Sequence, residues 1–455
     1  MQREKQDLTR GPLGKQILFF SIPLIFSNLL QVLFNMADVA VLGKFAGTAA
    51  LGAVGSTTTL VTMFTDFLIG LSGGINVLTA RHFGAKDKKN MVETVHTSLL
   101  LSIIVGFLLL FGGWIFSKGI LLLLQTKHEL LSGAVLYIRI YLLGMPALAV
   151  YNFGNAVFSA VGETKRPLYY LSLAGASNIV LNLFFVIVCH MDVAGVAAAS
   201  VISQYISAFL IVRALVRSRE IYALRLSNLH ISRNNAWAVI HIGVPAGLQN
   251  AIFQMANLFI QTGVNSFSAT LVAGNAAAMN EDAIVFSVMM AFYTACGSFM
   301  GQNYGAGKKE RIRKSYLFSL AYAFGSGMIL GALMVFFGPS FLRLFTSDAA
   351  VIEAGMYRIT FMGLFLGFSA FMDCTIAASR ALGKSFIPTV IVLLGACVFR
   401  IIWVYTIFAY FQTVPSLYLL YIFSWSITAF AEILYFIHVY KKHISPIGSN
   451  GCGMI

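Results

Sequence analysis

Charged side chains are scarce in this sequence. They make up 11% of its 455 residues, against about 25% in a typical soluble globular protein. Acids are the scarcer sign, 17 Asp and Glu to 31 Lys and Arg, while 58% of the chain is hydrophobic. A single soluble core stops growing beyond about 250–300 residues, so an apolar fraction of this size excludes a water-soluble globular protein. Cysteine is also sparse. Cys189, Cys296, Cys374, Cys397 and Cys452 share no metal or redox spacing, which excludes a zinc site and a disulfide framework and leaves them as packing residues. The eight histidines fall at the ends of apolar blocks and in connections, without metal spacing; a metal-dependent intramembrane enzyme is excluded, and the protein reads as no enzyme at all. Phosphate loops are missing too: no Gly-rich stretch has Walker spacing after a strand, so ATP is not the expected energy source. Met1–Lys15 is polar, and no small-residue cleavage motif follows the first apolar block, which therefore reads as a first span rather than a leader.

What is present is long apolar runs, such as Leu99–Phe116, Ile179–Cys189 and Tyr316–Phe337. About 20 such residues cross a bilayer as a helix, and backbone in lipid must satisfy its own hydrogen bonds. Twelve helical spans are predicted, near 16–38, 50–79, 94–117, 133–155, 167–189, 194–215, 237–263, 270–299, 315–338, 350–374, 386–410 and 416–440. The net charge of +14 would suit nucleic acid, but the bases sit in short clusters between apolar blocks. With the N-terminus placed inside, 24 Lys and Arg fall in inner connections and only Lys44, Lys118, Lys127 and Arg343 in outer ones. That bias places both termini in the cytoplasm and excludes nucleic acid as a partner.

The chain repeats itself. Ile22-Pro23 matches Val244-Pro245, Asn28 matches Asn250 and Asn35 matches Asn257 at a shift of 222; Phe83-Gly84-Ala85 matches Tyr304-Gly305-Ala306 at 221. Each half holds six helices, an even number, so both halves enter from the same side. The expected fold is an all-α integral membrane protein of twelve transmembrane helices, in two six-helix lobes related by a pseudo-two-fold axis along the membrane normal. The boundaries read as a cytoplasmic N-terminus (1–15), an N-terminal lobe (16–215), a cytoplasmic linker (216–236), a C-terminal lobe (237–440) and a cytoplasmic C-terminus (441–455).

Three stretches carry a family likeness: Ile22-Pro23-Leu24 through Asn35-Met36-Ala37-Asp38-Val39-Ala40-Val41-Leu42-Gly43; Arg81-His82-Phe83-Gly84-Ala85-Lys86 with its echo Gly301-Gln302-Asn303-Tyr304-Gly305-Ala306-Gly307-Lys308; and Ser379-Arg380-Ala381-Leu382-Gly383-Lys384-Ser385. Together they resemble the multidrug and toxin extrusion (MATE) family of bacterial exporters over about residues 10–440. The resemblance implies a monomer in the bacterial inner membrane. It would export small amphipathic, often cationic compounds in exchange for H+ or Na+, without a cofactor, by rocking two lobes around a central cavity. The alternative is a lipid-linked precursor flippase of the same superfamily; the thin inventory of membrane Lys and Arg favours a cationic or neutral substrate instead.

Charges in hydrocarbon cost roughly 2.5–3.5 kcal/mol on insertion scales, so each marks a functional candidate. Asp38 leads, because the resemblance places it where relatives carry the cation-binding Asp of the N-terminal lobe. Asn178 and Asn182, four apart on one helix face, and Asn152 and Asn155 on the preceding helix offer amide ligands. Relatives often carry Asp at the position of Asn182, so this chain holds one charge fewer there. In the C-terminal lobe, Glu281, Asp282 and Asp373 are candidate cation or substrate ligands, with Asn257 and Gln261 from helix seven. Glu281 and Asp282 are adjacent and expected to point about 100° apart. Arg400 is expected to pair with one of these three acids. Pro23 and Pro245, at matching positions, are candidate hinges, since proline removes a helix hydrogen bond.

Overall fold

The computed structural model describes residues 7–444, apart from the side chain of His443. Cys452 and most of the expected C-terminal tail lie outside these residues, as do Arg3 and Lys5. Sixteen α-helices are assigned: α1 Leu13–Phe45, α2 Gly47–Gly84, α3 Lys88–Leu123, α4 His128–Leu142, α5 Met145–Ala160, α6 Lys165–Leu183, α7 Asp192–Val216, α8 Arg233–Asn265, α9 Ala269–Gly305, α10 Lys309–Leu342, α11 Ala349–Phe365, α12 Ser369–Ala381, α13 Phe386–Val392, α14 Phe399–Trp403, α15 Ala409–Phe411 and α16 Val414–His443. No strand occurs among the described residues. Eleven helical stretches are long and apolar enough to cross a membrane, and α4 with α5, bent by 47°, makes a twelfth. The protein is thus a multi-pass, all-α membrane protein, with a helix over each predicted span.

Some spans are less simple than expected. The fourth is broken at Leu143–Gly144, where Pro146 starts α5 within its first turn. Its counterpart breaks at a 3-10 turn, Leu366–Phe368, between α11 and α12. Helix α6 continues as a π-helix, Phe184–Val188, and α13 to α15 form one span through two more, Leu393–Val398 and Val404–Phe408. Helices α1 and α8 run unbroken through Pro23 and Pro245.

The duplication is visible in the backbone. Left-handed residues recur at the repeat offset: Lys86 with Gly307, Gly162 with Gly383, His190 with Gln412. Each ends or joins corresponding helices, so the halves share their stop signals.

The chain forms two compact units, and their borders fall inside helices rather than in the linker. Among the described residues, one unit is Leu29–Gly247; the other joins those up to Asn28 to those from Leu248 onward. Helices α1 and α8 therefore each start in one unit and finish in the other, changing over within a few residues of Pro23 and Pro245. Within the first unit, α8 crosses α2 where both carry glycines one turn apart. A Cβ on Gly74 would lie 2.7 Å from Gly243 N, and one on Gly70 would lie 2.5 Å from Gly247 N; small residues let two backbones meet this closely. Within the second unit, the lead-in to α1 is held by its main chain. Lys308 Nζ donates to Thr9 O (2.7 Å), Asn303 Nδ2 to Leu8 O (3.2 Å) and Arg311 Nη1 to Gly11 O (2.8 Å), and Leu8 is fully buried.

Candidate functional site

In the first unit, four polar side chains from three helices, Asp38 of α1 among them, close a ring. Asn182 Nδ2 donates to Asp38 Oδ1 (2.5 Å) and to Asn178 Oδ1 (3.2 Å). Asn178 Nδ2 reaches Ser200 Oγ (3.4 Å), and Ser200 Oγ donates to Asp38 Oδ2 (3.4 Å). One helical turn of α6 sets the two amides on one face, and α7 brings Ser200. Asn178, Asn182 and Ser200 are buried and Asp38 is half-buried. Stacked rings of Tyr137 and Tyr141, 5.8 Å apart, stand within electrostatic reach of Asp38. Asn182 Oδ1 is buried with no donor from the protein. The ring thus offers one carboxylate, a spare amide oxygen and a hydroxyl, a set suited to a single proton or a monovalent cation.

The other two predicted amides stay apart from this ring. Asn152 Nδ2 donates to Leu148 O of its own helix (3.0 Å), and Asn155 is half-buried on the same helix. Ser200, which the sequence reading missed, closes the ring.

In the second unit the acids fall into two groups. The first is an ion pair: Arg358 donates from Nε (2.8 Å) and Nη2 (2.5 Å) to Asp282 Oδ2, while its Nη1 donates to Asn275 Oδ1 (2.9 Å). Tyr418 OH donates to the same Asn275 oxygen (2.9 Å), and the guanidinium lies 5.7 Å from the Tyr418 ring centroid. Glu281 is fully buried beside this pair. The second group surrounds Asp373, which lies within electrostatic reach of Arg380, Arg400 and Glu432 and faces Tyr293. Arg380 Nη2 donates to Gln249 Oε1 (2.9 Å).

Arg400 corrects the sequence reading. It forms no ion pair with Glu281, Asp282 or Asp373 among the described residues. Its Nε donates to Ser424 Oγ (2.9 Å), and its guanidinium sits against Phe253 (4.9 Å) and Tyr421 (4.8 Å). Cation–π contacts and one hydroxyl are its direct partners, with Asp373 within electrostatic reach; of the three acids expected for it, Asp282 is instead paired with Arg358. Of the helix-seven amides, Gln249 joins the second group through Arg380, whereas Asn257 and Gln261 lie apart from both. Gln261 Nε2 donates to Asn265 Oδ1 of its own helix (2.8 Å), and Asn257 is half-buried. No cluster of three or more His, Cys, Asp or Glu that could hold a metal occurs among the described residues.

Against known proteins, the sequence pattern of the MatE family matches residues 23–186 and 245–406, one stretch in each half. The chain is 29% identical to the probable multidrug resistance protein YpnP of Bacillus subtilis over 80% of this chain and 81% of that protein. It is 25% identical to the probable multidrug resistance protein NorM of Thermotoga maritima, over 88% and 86%. It is 24% identical to a FAD transporter of Shewanella oneidensis, over 77% and 78%. Among solved structures, an outward-facing multidrug resistance MATE family transporter of the MOP superfamily superposes with a TM-score of 0.89 at 22% identity, covering 99% of this chain and 100% of that one. A MATE in its bent conformation also gives 0.89, at 22% identity and coverage of 98% and 100%.

Proposed function

Because the chain belongs to the MatE family of membrane transporters, and is not an enzyme, we propose that it exports small amphipathic, often cationic compounds by antiport with H+ or Na+. The observation that carries the coupling step is the closed ring of Asp38, Asn178, Asn182 and Ser200. A half-buried carboxylate whose only ring partners are amides and a hydroxyl is neutralised by one cation and recharged when it leaves. That change of charge is the two-state event an antiporter needs. Loss or gain of the cation alters the bonds tying α1 to α6 and α7. Pro23, on the same helix, is the place where α1 gives way, and Pro245 serves α8. Alternating access follows by rocking of the two six-helix lobes. The protein works as a monomer in the bacterial inner membrane with both termini in the cytoplasm, the orientation set by its Lys and Arg bias.

The test is efflux from proteoliposomes with a pH gradient or a sodium gradient imposed separately. The gradient that drives uphill export in the parent protein identifies the ion, and Asp38→Asn is expected to abolish that drive. Uphill export by Asp38→Asn at the parent's rate refutes the assignment.

A further inference from the structure

Arg139 of α4 is a membrane arginine without an acid. It sits six residues into the fourth predicted span (133–155), about 9 Å at 1.5 Å per residue, where an arginine is costly unless paired. Among the described residues it forms no ion pair, and its Nε is buried without an acceptor. What its guanidinium touches is the indole of Trp114 on α3, 4.6 Å away at the ring centroid. The acids of the helices packed on α4 do not help. Glu93 of α3 lies about 32 Å along that helix from Trp114, and Glu129 lies about 15 Å along α4 from Arg139. Neither Asp66 of α2 nor Asp192 of α7 bridges to it.

The pair sits on an outward-facing, apolar surface of the first unit. On α4, Leu136, Arg139 and Leu143 follow one another at helical spacing, and both leucines are exposed. On α3, Trp114 is 47% exposed, with exposed Phe111 one turn before it and exposed Lys118 one turn after. Lys118 stands one residue beyond the third predicted span (94–117). Long side chains on a helix lean towards its N-terminus, which for α4 is the same end of the bundle as Lys118. Arg139 therefore rises from the apolar zone towards Trp114 and Lys118, on the side that the Lys and Arg bias places outside the cell. Two cations meet there with no carboxylate between them.

We propose that Arg139, Lys118 and the face of Trp114 form a binding site for the phosphodiester headgroup of an anionic phospholipid in the outer leaflet. The guanidinium fork matches phosphate oxygens, Lys118 adds a second positive charge, and the indole holds the guanidinium in place. A free phosphate ion shares that chemistry but has no acyl chains to cover Phe111, Leu136 and Leu143. The site does not rest on the antiport reading, and its test reads no transport. The full-length protein is reconstituted in phosphatidylcholine vesicles containing rising fractions of brominated phosphatidylglycerol or, in parallel, brominated phosphatidylcholine. Tryptophan emission is followed, and subtracting the Trp114→Phe signal isolates Trp114. Brominated phosphatidylglycerol is expected to quench Trp114 at an about tenfold lower fraction than brominated phosphatidylcholine. Arg139→Gln brings the two curves together, and Lys118→Gln brings them partway. Coincident curves in the parent protein overturn the proposal without any variant. A preference that survives both Arg139→Gln and Lys118→Gln overturns it too; if Arg139→Gln does not fold, the parent and Lys118→Gln decide. Loss of the preference on adding sodium phosphate, but not sodium chloride of equal ionic strength, shows a free anion as the occupant and overturns the lipid assignment.

Discussion

At Asp38 the carboxylate, two amides and a hydroxyl are mutually bonded, so the site responds as a unit to removal of any member. Asn182 is the most connected, donating to both Asp38 and Asn178. Asn182→Ala is expected to cost about 1–3 kcal/mol of stability, the usual penalty for stranding buried polar partners, and to lower gradient-driven efflux at least ~10-fold. Detergent melting and proteoliposome efflux measure the two effects. Arg358 is a different case, because its partner Asp282 is a buried charge. Arg358→Ala should destabilise by about 3–5 kcal/mol, and adding Asp282→Asn should recover much of that loss, since the stranded charge goes with it. A double variant no more stable than Arg358→Ala contradicts the pairing. The sequence made Asp38 legible as an intramembrane acid that the family resemblance singled out, and Asn178 and Asn182 as two amides one turn apart on one helix face. Ser200 was illegible, being one hydroxyl among many on small-residue helices. So was the pairing of Arg358 rather than Arg400 with Asp282: both arginines sit in spans, and only the tertiary packing of α9, α11 and α16 chooses between them.

The helices extend the same contrast. Apolar runs located every span, but not their ends. Helices α2 and α3 run on beyond the predicted spans to a polar hairpin, where Asp87 caps α3 by accepting from Asn90 N (3.1 Å) and Nδ2 (2.7 Å). The Asn90 side-chain bond comes first among the interactions that hold the Asp87 carboxylate below its ordinary value. Its capping contribution is therefore full above the ordinary carboxylate range and fades as pH falls through the lowered value. Asp87→Ala is expected to cost about 1 kcal/mol, the usual worth of a cap. The break at Leu143–Gly144 escaped the hydropathy reading because both sides are equally apolar. It is enforced by Pro146 and by the Gln204 side chain, which occupies the space a Cβ on Gly144 would need. The crossing of α2 and α8 is equally intolerant. Gly74→Leu would drive a side chain into the backbone at Gly243 and is expected to destabilise by about 1–3 kcal/mol or more. A melting temperature equal to the parent's would show that the two backbones are not so close. Pro23→Ala tests the hinge: transport lost with folding intact supports a bend in α1 as part of the cycle, and normal transport removes it.

For the molecule as a whole, the repeat explains more than any single site. Matching left-handed stops and matching changeover points in α1 and α8 tie the two compact units to a common plan, while their polar contents differ. One half carries a ring with a single acid; the other carries Glu281, Asp282, Asp373 and Glu432 with three arginines. Coupling by Asp38 predicts a specific division of labour. Export against a gradient needs the cation to bind and leave, whereas exchange of labelled for unlabelled substrate at equilibrium needs only the moving lobes. The most direct measurement compares the two in the same vesicles for the parent protein and Asp38→Asn. Exchange retained with uphill export abolished is the predicted result. Uphill export retained, or both activities lost from a folded protein, would contradict it.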